Sequence, residues 1–74
     1  MERYAVDVDP RDGKYYCVVD RHKNNQIVEE IQDGEVTGSS IIEFVIKIET
    51  EMDKRCKVLN EEYNTYLRRV TALN

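Results

Sequence analysis

The sequence predicts an α+β fold, a three-stranded antiparallel β-meander followed by one long C-terminal α-helix. Three observations predict it. Apolar and polar side chains alternate with period two near the amino end, a turn carrying Pro10 and Gly13 divides that stretch, and neither proline nor glycine occurs from Ser39 to Asn74.

The first strand is expected over residues 3–8, with Tyr4, Val6 and Val8 on one face and Arg3, Ala5 and Asp7 on the other. The second, over residues 14–20, is rich in β-branched and aromatic side chains and puts Tyr15, Cys17 and Val19 opposite Tyr16 and Val18. Between them Pro10 presets φ for a type I turn, and Gly13 takes the left-handed position that closes it. A polar cluster, Arg21 to Asn25, leads to a third strand over residues 26–31. Its alternation is poorer, because Ile27 adjoins Val28 and Glu29 adjoins Glu30, which suits an edge strand. Gly34 and Gly38 mark the loop that ends the sheet.

Ser40-Ile41-Ile42-Glu43 reads as a capping box and opens a helix over residues 40–73. Counted every seven residues, Val45, Met52, Leu59, Tyr66 and Leu73 form one row and Ile42, Glu49, Cys56, Tyr63 and Val70 another, a heptad-like seam with Glu49 its charged member. Ile41, Phe44, Ile46 and Ile48 add apolar surface to the first turns, so residues 41–52 are expected to lie on the sheet, Phe44 and Ile48 pressing on the Tyr4/Val6/Val8 or the Tyr15/Cys17/Val19 face. A rod of about 45 Å outruns strands about 20 Å long. The remaining stripe, Met52, Cys56, Leu59, Tyr63, Tyr66, Val70 and Leu73, is therefore expected to meet a partner. A homodimer is the favoured arrangement, since isologous pairing is the commonest way to cover a self-complementary stripe. The other is a break near Asn60 that folds residues 61–73 back in a monomer.

Length and composition bound the function. Seventy-four residues make one domain, residues 1–74, with the sheet in 1–33 and the helix in 40–73. Eleven basic and fifteen acidic residues give a net charge of −4, which argues against a duplex-DNA or membrane-surface binder, and 41% hydrophobic residues argue against wholesale disorder. Residues 1–38 hold nine acids and five bases, against six of each in 39–74. Asp7, Asp9, Asp12, Asp20, Glu29, Glu30, Asp33 and Glu35 are accordingly the candidate acidic surface for another protein, as a nucleic-acid mimic in its sharpest form. Lys54, Arg55, Lys57, Arg68 and Arg69 make a basic helix end, the basis of the alternative, a nucleic-acid-binding dimer.

Chemistry is not signalled. His22 falls in a turn, Asp7, Asp9 and Asp12 with Pro10 between them do not keep calcium-loop spacing, and the adjacent carboxylates Glu29-Glu30 and Glu61-Glu62 point to different faces. Cys17 and Cys56 are read as buried thiols in a reducing cytoplasm, because a start of Met1-Glu2-Arg3-Tyr4 is not a secretory leader. No catalytic residue, metal, cofactor or membrane partner is expected. The run Gly13-Lys14-Tyr15-Tyr16-Cys17-Val18-Val19-Asp20, a polar turn, Asn25-Gln26-Ile27-Val28-Glu29-Glu30-Ile31 and a helix resembles the hairpin-and-helix pattern of flagellar FlaG-like proteins and of short phage-encoded proteins, over roughly residues 3–50. That resemblance implies no functional residue. The expected role is a small non-enzymatic inhibitor or adaptor that binds a protein through its acidic sheet surface.

Overall fold

The computed structural model describes residues 2–73 and contains three strands and one helix: β1 (Tyr4–Val8), β2 (Tyr16–Asp20), β3 (Gln26–Glu30) and α1 (Ile41–Leu73). The strands form an antiparallel sheet in the order β1-β2-β3, so the α+β meander with a single C-terminal helix is the observed fold.

The hairpin is tighter than a plain type I turn with a bulge. The Asp9 carboxylate accepts from the backbone N–H of Arg11 at 3.0 Å, and Gly13 has φ 77°. Tyr15 then adopts φ 61° while the Tyr16 N–H donates to the Lys14 carbonyl at 2.7 Å, a γ-turn of the rarer kind whose central residue has positive φ. This kink is why β2 begins at Tyr16 and not at residue 14. After β2, Asp20 caps a single 3-10 turn (Arg21–Lys23) by accepting from the His22 N–H, and Asn24 and Asn25 take φ 55° and 59°. Asparagine tolerates that geometry better than any other bulky side chain.

The weak alternation of β3 has a physical cause. Val18 pairs with Glu29 and Val19 with Ile27, so Val28 is the extra residue of a β-bulge. The register shifts by one residue there, and two adjoining apolar residues are accommodated with pairing kept on both sides of the bulge.

The register pairs Val6 with Val18 and Val8 with Tyr16, which places those side chains on one sheet face. The helix lies on that face: Val18, Ile31, Ile48 and Met52 are buried together, and Tyr4, Val6, Tyr15, Tyr16, Val36, Phe44, Cys56 and Leu59 pack around them. The β2 contribution is thus Val18, not Cys17 and Val19, which are buried on the opposite face. Val8, expected on the helix side, stays 68% exposed near the hairpin end.

The amino end of α1 is held by a modified capping box. The Ser40 hydroxyl accepts from the Glu43 N–H at 3.2 Å as expected, but the Glu43 carboxylate reaches Ser39, accepting from its N–H at 3.3 Å and its hydroxyl at 2.5 Å. From there α1 runs unbroken for 33 residues, so no break occurs at Asn60. The molecule measures 52 × 21 × 19 Å, its long dimension being that of the helix.

Candidate functional site

Sheet and helix meet over a longer stretch than strand length alone allows. Ile48 and Met52 lie at its centre, each fully buried, and Cys56 and Leu59 continue the contact. Beyond the strands, loop side chains extend it. Tyr15 meets Phe44 edge-to-face at 5.9 Å at one end, and His22 meets Tyr63 likewise at 5.7 Å at the other. The Arg3 guanidinium lies 4.7 Å from the Tyr63 ring centre while bonding Asp20 at 3.0 and 2.9 Å. This corrects the expected partner-facing stripe: Met52, Cys56, Leu59 and Tyr63 are taken up by the chain's own sheet and its flanking turns. His22, read as a solvated turn residue, is one of the groups that cover Tyr63.

The stripe then outruns its cover. Tyr66 is 60% exposed, Leu67 41%, Val70 38% and Leu73 87%. Of the seven residues read as an interface, Tyr66, Val70 and Leu73 therefore remain free, with Leu67 beside them. Tyr63 and Tyr66 stack at 6.4 Å and link the covered part to the open part. Val58, 47% exposed, lies on the lateral flank of the same helix. This overhang is the candidate functional surface.

The acidic surface is less free than its charge count implies. Asp9 and Asp20, expected there, are buried. Asp9 is held by Arg11 through bonds of 3.0 and 2.7 Å, and Asp20 by Arg3; the neighbouring guanidinium keeps each carboxyl below its usual pKa. Arg11 also pairs with Glu30, and Lys14 with Asp33 at 3.3 Å. Arg55 gathers three more carboxylates: Glu51 at 3.0 Å, Glu29 at 3.3 Å, and Glu35, while it also donates to the Glu30 carbonyl at 3.2 Å. Asp7 and Asp12 alone among the eight have no cationic partner among the described residues. Arg55 is by the same token removed from the basic helix end, which is left with Lys54, Lys57, Arg68 and Arg69.

Glu49, the charged member of the heptad rows, faces the Tyr16 hydroxyl and pushes its pKa up. Burial pushes up both thiols, Cys17 and Cys56, so neither is primed as a nucleophile. Among the described residues no group of three His, Cys, Asp or Glu side chains converges to hold a metal, and no helix is long and apolar enough to cross a membrane. A recess between the β1 edge and α1 is lined by charges of both signs, Glu2, Arg21, Asp53 and Lys57, together with Asn60.

Comparison with protein-family models, curated proteins and solved structures finds no match to this chain.

Proposed function

We propose that the protein is a small non-enzymatic protein-interaction module whose docking surface is the carboxyl-terminal overhang of α1. The observation that carries this reading is the continuation of the core stripe beyond the sheet, where Tyr66, Leu67, Val70 and Leu73 stay exposed on a regular helix. Full burial of such side chains is worth about 1.5–3 kcal/mol each. A clustered apolar patch at one end of an otherwise charged molecule supports contact with another protein surface. The size suits an inhibitor or adaptor, which acts by occupying a surface and needs no reaction of its own.

The carboxylates of the sheet support the reading less, because six of the eight expected there are satisfied within the chain. Nucleic-acid binding loses Arg55 in the same way. The test is a photo-activatable amino acid placed at Tyr66 of the full chain in its source cells, with Asp12 as the control position. Crosslinks to a protein, this chain or another, from Tyr66 and not from Asp12 are the expected result. Absence of any protein crosslink at Tyr66 overturns the proposal.

A further inference from the structure

We infer that the occupant of the overhang is a second copy of this chain, paired antiparallel along the lateral face formed by Val58, Glu62, Tyr66, Arg69 and Leu73. The inference deepens the reading of α1 as a docking surface and rests on it. These five residues follow one another at spacings of four, four, three and four, so they form one continuous ridge. All are exposed, and the ridge lies beside, not beneath, the sheet-facing row of Met52, Cys56, Leu59 and Tyr63. A second helix can thus lie along it without displacing the sheet.

Charge selects both the partner and its direction. Neither Glu62 nor Arg69 has an ion-pair partner among the described residues. Val58 and Leu73 are placed symmetrically about the midpoint between Thr65 and Tyr66, and so are Glu62 and Arg69. In an antiparallel pair of identical helices like flanks face each other. Centring the two-fold axis on that midpoint sets Glu62 against Arg69 of the other copy twice and Val58 against Leu73 twice, with Tyr66 beside Thr65 at the axis. A parallel two-fold pairing on the same ridge sets each residue against its own copy, Glu62 on Glu62 and Arg69 on Arg69, and so opposes like charges. An overlap from Val58 to Leu73 spans about 22 Å of helix. That is short of a standard interface, about 800 Å² per partner, and assigns the association to the weak, concentration-dependent class.

The test is sedimentation equilibrium of the full chain over a concentration series, for the unsubstituted protein, Glu62→Arg, Arg69→Glu and the double exchange, with helicity checked by circular dichroism. A monomer–dimer equilibrium is expected, weakened about tenfold or more by either single reversal, since each places two like-charge pairs across the axis, and restored by the double exchange. An unsubstituted chain that stays monomeric throughout overturns the second-copy inference, and crosslinks from Tyr66 to a different protein would then leave the interaction-module reading standing. A dimer whose strength ignores the single reversals, or is not restored by the exchange, overturns this face and direction. Both positions are exposed and outside the core, so loss of association with helicity retained reports the contact and not the fold.

Discussion

Asn60 and Tyr4, separated by 56 positions in the chain, are joined by two hydrogen bonds: the Asn60 side-chain oxygen accepts from the Tyr4 N–H at 2.9 Å, and its amide donates to the Tyr4 carbonyl at 3.1 Å. The amide imitates a neighbouring strand. It satisfies the outward-facing backbone groups of Tyr4 on the free edge of β1 and fastens that edge to the helix at the last point where the two touch.

Replacing Asn60 with Ala is expected to cost about 1–3 kcal/mol, because both Tyr4 groups lose their partner at a half-buried position. Asp in its place still accepts from the N–H but cannot donate to the carbonyl, and is expected to recover only part of the loss. Urea unfolding followed by circular dichroism checks both; an Asn60→Ala chain as stable as the parent refutes the role.

Met52 and Ile48 meet beneath the centre of the sheet with no exposed surface. Met52→Ala or Ile48→Ala is expected to destabilise by about 2–5 kcal/mol. Ile42, 70% exposed on the same helix, sets the comparison, since Ile42→Ala is expected to stay within about 0.5 kcal/mol. Unfolding midpoints that fail to separate core from surface would contradict the packing described.

The Glu43 carboxylate, bonded to Ser39 and paired with Lys47 at 3.0 Å, has its pKa drawn down from 4.5 to about 2. A folded-state pKa below the unfolded one means a contribution fully present above pH 4.5 and lost as pH falls toward 2. The thermal midpoint is therefore expected to fall across that window. Glu43→Gln flattens part of the decline and leaves the part owed to Asp9 and Asp20, whose carboxyls are lowered by Arg11 and Arg3. A pH profile identical in the variant would remove Glu43 from the capping arrangement.

Gly38 faces the first turn of α1. A Cβ built there lies 3.0 Å from the Phe44 backbone nitrogen, and that atom belongs to the helix and cannot swing aside. Gly38→Ala is expected to cost about 1–3 kcal/mol by forcing the loop off the helix. Gly34→Ala meets no atom within 4 Å but carries φ 81°, so about 1–2 kcal/mol of backbone strain is expected there. Thermal unfolding separates the two causes when hydrogen exchange is followed at the Phe44 amide, which only Gly38→Ala should expose.

Elements were far more legible than contacts. The alternation of Tyr4, Val6 and Val8, the Pro10-Gly13 turn and the Ser40 cap each mark a local preference, and the structure forms a strand, a turn and a helix start at those places, with Val8 left exposed, an added kink at Tyr15 and Glu43 turned to Ser39. Two things depend on distant residues and left weaker traces. The face of β2 that meets the helix follows from the cross-strand pairing of Val6 with Val18, which no segment shows alone. The reach of the sheet along α1 depends on Arg3, His22 and Asn60, polar residues whose composition signals solvent and whose positions make them cover. Asp9 and Asp20 were misplaced on the surface for the same reason, since a carboxylate gives no local sign that a guanidinium from another part of the chain, or two residues on, will seal it in. The overhang was visible in outline because the heptad rows continue past any length of rod a small sheet can shelter.

Arg55 draws carboxylates from β3, from the loop after it and from its own helix to one guanidinium. One guanidinium among three carboxylates offsets only part of their charge, so that side of the sheet keeps a residual negative field. The proposed docking at the rod tip is by contrast a contact-range event, since the side chains left open there, Tyr66, Leu67, Val70 and Leu73, carry no charge.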